Sequence, residues 1–175
     1  YEYSFFNSLY GGSTRKDIEQ NIVTTNFLDY KINVNKIVVQ PLKRVEAEIM
    51  KLNKSDKEVQ YFLKTLRSIF GYNWRLIGDT KRKSNHCWGT AIDILPMNWK
   101  KKKVYWMWER SFNKNWFMVP KSSRWCPPDS IVKVFEDEGF IWGGKWDLWD
   151  NMHFEYRPEL LELHKEFKNF TKSAN

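Results

Sequence analysis

The sequence predicts a domain that combines α-helices with short β-strands. Of its 175 residues, 42% are hydrophobic, which is enough to build one well-formed core. Apolar residues recur every three or four positions over 38–52, as they do along a helix with one buried face. Short apolar runs such as 91–95 are bounded by glycine or proline, which is typical of strands. No internal repeat or linker divides the chain.

The first third of the sequence predicts a short helix, one or two strands and a long helix. Ser13 or Thr14 is a suitable N-cap for the short helix. Weak alternation of apolar and polar residues over 24–36 predicts the strands, and 38–52 is the long amphipathic helix. We expect residues 1–53 to form an N-terminal portion that packs on the remainder.

The middle of the sequence predicts a second helix followed by two strands. A capping pattern at Ser55 begins this helix, which extends to about Phe70 and stops at Gly71. Residues 72–77 and 91–95 are the predicted strands. The remaining predicted elements are a helix over 130–138, a strand or turn that starts over 140–142, a strand over 152–156, and a final helix from Pro158.

The sequence is basic, with a formal net charge of +8. Such a charge attracts polyanions such as nucleic acid, anionic lipid or anionic cell-wall polymer, although scattered lysines are more often simply solvated. No nucleic-acid-binding motif accompanies the charge, so we expect no nucleic-acid partner. The tryptophan-rich segment 98–125 is either a lid or substrate wall or, as we favour, a satellite hydrophobic cluster under a long loop.

The two cysteines, Cys87 and Cys126, are too few for a disulfide framework and lack the spacing of a zinc-binding pair. They can form one bridge only if their Cα atoms lie within about 7 Å. A nucleophilic pair of Cys87 with His86 is disfavoured, because adjacent side chains usually point apart. No apolar run is long enough to span a bilayer and no signal-peptide pattern is present, so we expect a trimmed mature chain.

Two separated stretches supply the side chains of a catalytic metal site. The stretch 84–93 contains His86 and Asp93, and a later stretch contains His153. Two imidazoles and one carboxylate, with a fourth position open to water, form a ligand set of catalytic zinc. His86 and Asp93 are seven positions apart, and in a regular strand two residues an odd number of positions apart point to opposite faces of the sheet. Either His86 must therefore precede the strand, or Gly89 must bend the chain.

The carboxylates near the last histidine have different predicted roles. Asp150 can lie in the turn before the strand of His153 and take a proton from the attacking water. Glu155 shares the face of His153, so it can orient a ligand imidazole by a hydrogen bond. We expect Asp147 to be a surface carboxylate and His164 a structural or surface histidine.

Two motifs in the sequence resemble those of a known family. Ser-x-His-x-x-Gly-x-Ala-x-Asp, from Ser84 to Asp93, resembles the first motif of the zinc D-alanyl-D-alanine carboxypeptidases. Gly-Gly-x-Trp followed by Asp-x-x-His-Phe-Glu, from Gly143 to Glu155, resembles their second motif. The Trp-Arg pair at 74–75 resembles the segment ahead of the first motif in a carboxypeptidase-like branch. This family includes VanY-like and VanX-like peptidases and the L-alanyl-D-glutamate endopeptidases of phage endolysins.

The resemblance implies a small α+β domain, as in hedgehog-type and DD-peptidase folds, whose antiparallel sheet carries the zinc with helices packed around it. It implies that Asp150 is the catalytic acid and base, a position where endolysin-like members also have aspartate. It further implies that Arg75 and Ser84 hold a carboxylate or carbonyl group of the substrate, since arginine grips a carboxylate by two parallel hydrogen bonds. The zinc ligands that it implies are His86, Asp93 and His153.

The leading hypothesis is a zinc metallopeptidase that hydrolyses peptidoglycan stem peptides, in the first place as a D-alanyl-D-alanine carboxypeptidase. The alternatives are an L-alanyl-D-glutamate endopeptidase of the same family, a non-catalytic hedgehog-like zinc-binding module, and a nucleic-acid binder that only the charge supports. The resemblance also implies an extracytoplasmic location, either periplasmic or associated with the cell wall. We expect a monomer with one domain over 1–175.

Overall fold

The computed structural model of the protein describes residues 3–77 and 82–163. In this part of the chain the α-helices are α1 (Ser4–Tyr10), α2 (Arg15–Glu19), α3 (Lys36–Leu52), α4 (Lys57–Lys64), α5 (Trp106–Arg110) and α6 (Asp129–Asp137), and residues 158–163 are also helical. The strands are β1 (Ile22–Phe27), β2 (Tyr30–Asn35), β3 (Leu66–Phe70), β4 (Ala91–Pro96), β5 (Phe140–Trp142) and β6 (His153–Tyr156). Short 3₁₀ helices cover Asn85–Trp88, Trp99–Lys101, Trp116–Met118, Lys121–Ser123 and Gly143–Lys145. None of these helices is long and apolar enough to cross a membrane.

A four-stranded antiparallel sheet in the order β3-β4-β6-β5 lies at the centre of the fold. β4 is buried along its whole length, between β3 and β6. The register of β4 and β6 places Asp93 opposite His153 and Ala91 opposite Glu155. This arrangement confirms the predicted α+β fold and puts two of the predicted metal ligands on neighbouring strands.

The main hydrophobic core joins the sheet to α3, α6 and the hairpin of β1 and β2. α3 begins after Asn35, whose side chain accepts a hydrogen bond from the N–H of Ile37. Its aliphatic residues face Ile92 of the sheet and Phe135 of α6, and full burial of each such side chain contributes roughly 1.5–3 kcal/mol. The buried aliphatic positions of α3 are Val38, Leu42, Val45 and Ile49.

The N-terminal residues pack against the segment that carries the first histidine of the site. Phe6 and Tyr10 of α1 form a cluster with the buried Trp88, and the rings of Phe6 and Trp88 are 5.1 Å apart. The side-chain amide of Asn35 donates to the carbonyl oxygens of Tyr10 and Trp88, at 3.1 Å in each case. These contacts hold the turn before β4 in place. The prediction of one domain over 1–175 also covers residues outside the described part and stays a prediction.

The elements predicted between residues 55 and 77 are partly wrong. The helix ends at Lys64 instead of continuing to Phe70, and β3 occupies the segment that we expected to complete the helix. Residues 72–77 form no strand. Short apolar runs fit either periodicity, and here pairing with β4 decides in favour of a strand. The N-cap is Asp56 rather than Ser55, because the Asp56 carboxylate accepts the N–H groups at the start of α4.

Candidate metal centre and active site

Three buried side chains converge at the junction of β4, β6 and the 3₁₀ helix Asn85–Trp88. Oδ1 of Asp93 lies 3.1 Å from Nε2 of His86 and 2.9 Å from Nδ1 of His153. The two imidazole rings are 5.1 Å apart. Among the described residues, these are the three grouped closely enough to hold one metal ion.

Local sequence explains how His86 reaches Asp93. The hydroxyl of Ser84 caps the 3₁₀ helix by accepting the N–H of His86, and Gly89 ends the helix with a left-handed φ of 68°. A Cβ atom at Gly89 would lie 2.6 Å from the backbone nitrogen of Asn35, so a side chain at this position is excluded. The chain therefore turns at Gly89 into β4, and His86 lies ahead of the strand, so both of the predicted alternatives hold.

Each histidine is anchored through the ring nitrogen that faces away from the centre. Nδ1 of His86 lies 2.6 Å from the carbonyl oxygen of Gly71, and Nε2 of His153 lies 3.3 Å from Oε2 of Glu155. The inward nitrogen of His86 is buried without a hydrogen-bond partner among the described residues. An acceptor on one ring nitrogen leaves the other free to bind a metal. The donor set therefore fits a zinc ion, for which two imidazoles and one carboxylate are suitable ligands.

The carboxylates of the site are held in the charged form that metal binding requires. Burial raises the pKa of Asp93, but the neighbouring imidazoles outweigh this effect and hold it well below its usual value. For Glu155 too, burial is outweighed, here by the hydrogen bond and charge of His153, and the pKa is lowered. Burial lowers the pKa of His153, yet its bonds to the two carboxylates raise it well above normal. Binding of a metal must therefore displace a proton from this ring, so acid weakens binding.

Glu155 is itself fixed by its neighbours, which supports the orienting role predicted for it. Its Oε2 accepts a hydrogen bond from the side-chain amide of Asn85, and its Oε1 lies 3.4 Å from Nη1 of Arg157. Asn85 stands next to His86 in the chain, so one carboxylate ties both histidine-bearing segments together. This link was not predicted from the sequence, because a lone asparagine carries no signal of its partner.

Asp150 lies in the same cavity but outside the group of three. Its Oδ1 is buried without a hydrogen-bond partner among the described residues, and burial, followed by the charge of Asp93, raises its pKa to about 7. The backbone N–H of Asp150 donates to the carbonyl of Gly143, and a Cβ atom at Gly143 would lie 2.7 Å from the carbonyl oxygen of Asp150. The Gly-Gly pair of the second motif thus allows a close approach that positions this carboxylate.

The site opens into a cavity of about 490 Å³. Arg75 lies on its wall with a half-exposed guanidinium whose Nη2 is 3.9 Å from Oδ2 of Asp93. Arg67, the nearest preceding arginine in the sequence, is not among the lining residues. The structure brings Ser84 close to the site as a helix cap, and its hydroxyl is buried away from the cavity wall. A substrate-binding role for Ser84 stays a prediction.

The tryptophan-rich segment contributes both a core and a cavity wall. Val104 packs with Leu95 and Met152 in a satellite hydrophobic cluster, as expected. Tyr105 and Trp108 also line the cavity, and the backbone of Tyr105 forms a β-bridge with that of Asp150. The sequence predicts a substrate wall only as one of two alternatives, because no periodicity in this segment indicates which aromatic residues turn inward.

The remaining residues considered in the sequence are the two cysteines, Asp147 and His164. Cys87 and Cys126 are free thiols, and the buried Cys87 donates to the carbonyl oxygen of Arg75, at 2.9 Å. Burial raises the pKa of the Cys87 thiol, which opposes a nucleophilic role. Asp147 is exposed, as expected. His164 lies outside the described residues.

We expect Gly71→Ala to weaken metal binding without removing a ligand. A Cβ atom at residue 71 would lie 2.1 Å from the carbonyl oxygen of Asn33, so the backbone at residue 71 must move. This movement displaces the carbonyl oxygen that is hydrogen-bonded to Nδ1 of His86. Loss of such an anchor costs roughly 10- to 100-fold in metal affinity. Competition with a chromogenic chelator measures this, and Asn73→Ala, an exposed position in the same segment, is the control. Equal affinities of Gly71→Ala and the unmodified protein would show that this carbonyl does not support the site.

Comparison with known proteins agrees with the geometry. Residues 78–156 match a family model described as D-alanyl-D-alanine carboxypeptidase. The matched range contains both stretches that build the site, from the turn before β4 to the end of β6. Searches of curated proteins and of solved structures give no match.

Proposed function

We propose that the chain is a zinc peptidase of the D-alanyl-D-alanine carboxypeptidase family, whose model matches residues 78–156, and that it removes the terminal D-alanine from peptidoglycan stem peptides. The observation that carries the proposal is the convergence of His86, Asp93 and His153 beside Asp150, whose Oδ1 is buried without a hydrogen-bond partner among the described residues. The substrate is a cell-wall polymer, so we expect the protein to act outside the cytoplasm.

The proposed metal ligands are His86, Asp93 and His153, each already oriented by the fold. A zinc ion held by them would lower the pKa of water toward ~7 and polarise the scissile carbonyl. Glu155 and the carbonyl of Gly71 keep the two imidazoles in the tautomers that face the centre.

Asp150 is the proposed general base and acid. It removes a proton from the attacking water as the water oxygen bonds to the carbonyl carbon. It then gives this proton to the departing nitrogen as the C–N bond breaks. Oδ1 of Asp150 is available for this proton transfer, since no described side chain or backbone group forms a hydrogen bond with it. Its position in the turn before β6 keeps it beside His153 but outside the ligand set.

Arg75 is the proposed clamp for the carboxylate at the end of the substrate. Its guanidinium stands on the cavity wall near Asp93, and a half-exposed position leaves its donors accessible. The Cys87 thiol, which bonds the backbone carbonyl of Arg75, helps to hold this residue in place. A carboxylate bound here would set the last peptide bond against the metal centre, which favours removal of one terminal residue.

We expect Arg75→Ala to raise KM roughly 10- to 100-fold for a peptide with a free C-terminus, because a charged hydrogen-bond pair is lost. The same peptide with an amidated C-terminus should be a poor substrate already and lose little more in the variant. Steady-state hydrolysis of the two peptides provides the comparison, with Arg67→Ala as an exposed control. Equal losses for both peptides would argue against a carboxylate clamp and favour cleavage within the stem.

A further inference from the structure

The positive charge of the chain is concentrated in one segment. Residues 100–124 contain eight lysine or arginine residues and a single acidic residue, Glu109, so the segment carries seven of the chain's eight net positive charges. Glu109 is only 4% exposed, and its carboxylate accepts a hydrogen bond from the side chain of Asn113 at 2.7 Å. The surface of this segment is therefore almost purely cationic.

The same segment exposes large apolar side chains. Phe112, Phe117 and Met118 are 75%, 65% and 70% exposed, and they are three of the four most exposed large hydrophobic residues in the described part of the chain. Exposed cations accompany them at Arg110, Lys114 and Lys121. Exposed apolar side chains that are rimmed by polar residues mark interaction sites, so this combination indicates a contact surface.

The scaffold beneath these side chains is packed rather than loose. The ring of Trp106 in α5 lies 4.8 Å from the ring of Trp116, and the guanidinium of Arg110 lies over Trp106 at 6.0 Å. Trp116 follows α5 at the end of a tight turn, in which its N–H donates to the carbonyl oxygen of Asn113. Phe112 is next to this turn on one side, and Phe117 and Met118 follow it on the other.

We propose that this surface docks on a lipid bilayer that contains anionic phospholipid. The surface comprises Arg110, Phe112, Lys114, Phe117, Met118 and Lys121. Apolar side chains can enter the boundary between headgroups and acyl chains, while the surrounding cations attract anionic headgroups. The positive charge of the surface thus favours a membrane with negatively charged headgroups as its partner.

A soluble polyanion fits the surface less well. Single-stranded nucleic acids are held by bases that stack on aromatic side chains, but Trp106 and Trp116 are half-buried and pack against each other at a tilt of 40°. The most exposed large apolar side chains of this segment are two phenylalanines and a methionine, which offer apolar volume and no hydrogen-bonding group. Tyr105 and Trp108 of the same segment line the cavity, so docking would hold the cavity close to the membrane.

The test measures co-sedimentation of the full chain with vesicles of phosphatidylcholine alone and of phosphatidylcholine mixed with phosphatidylglycerol. We expect binding to the anionic vesicles and little to the neutral ones. Lys114→Ser with Lys121→Ser should weaken binding roughly 25-fold, at about fivefold for each cation, and added salt should reduce this difference. Phe112→Ser with Phe117→Ser should weaken binding at least about tenfold, because the inserted apolar groups are lost.

Two matched variants test the position of the surface. Tyr61→Ser removes an equally exposed aromatic ring from α4, and Lys54→Ser removes an exposed cation from the turn before α4. Both should bind as the unmodified protein does, and far-ultraviolet circular dichroism should be the same for every variant. The proposal is overturned by absence of binding to anionic vesicles, or by equal losses in the phenylalanine pair and Tyr61→Ser. Dependence on the lysines alone would also overturn it and would assign the surface to a soluble polyanion.

Discussion

Asp150→Asn is expected to lower kcat by roughly 10²–10⁴ while leaving the metal bound, because it removes a positioned proton acceptor but no ligand. Asparagine has nearly the shape of aspartate, so the turn that Gly143 supports should keep its geometry. The measurements are kcat on a stem peptide and metal content of the same preparation. Loss of activity with full metal content is the expected result.

Asp147→Asn is the matched control for this prediction. Asp147 lies in the same loop, but its side chain is exposed. The variant should retain the activity of the unmodified protein. If Asp147→Asn is inactive and Asp150→Asn is not, the base has been assigned to the wrong carboxylate. If Asp150→Asn loses its metal, Asp150 is a ligand.

His86→Ala is expected to lose most bound zinc and, with it, peptidase activity. The inward nitrogen of His86 lies 3.1 Å from Asp93 and has no hydrogen-bond partner among the described residues. It is thus free for a metal, and with alanine only two ligands remain. Metal analysis of the purified variant provides the measurement, and circular dichroism checks that the fold is intact. His164→Ala, which replaces the histidine assigned outside the site, should keep its zinc, whereas full retention in His86→Ala would remove this residue from the centre.

The sequence was most informative where function restricts the spacing of side chains. His86, Asp93 and His153 are grouped in the structure as the two motifs implied. The odd offset between His86 and Asp93 predicts either that His86 precedes the strand or that Gly89 bends the chain, and the structure shows both. The grouping of the candidate ligands could therefore be predicted from residue types and short intervals.

Features that depend on tertiary packing could not be predicted in this way. The acceptor for the His86 ring is the backbone carbonyl of Gly71, and a backbone atom leaves no trace in a sequence. Leu66 and Ile69 fit a helical period as well as a strand, and only the partner strand β4 resolves the ambiguity. Tyr105 reaches the cavity because its backbone pairs with Asp150, a contact between segments far apart in the chain.

The most direct test of the proposed function is mass spectrometry of muropeptides with pentapeptide stems after incubation with the zinc-loaded protein. We predict products that are lighter by one alanine residue, together with free D-alanine, and no reaction after treatment with a chelator. Stem peptides that remain intact in the presence of zinc, or fragments cut between L-alanine and D-glutamate, would contradict a D-alanyl-D-alanine carboxypeptidase.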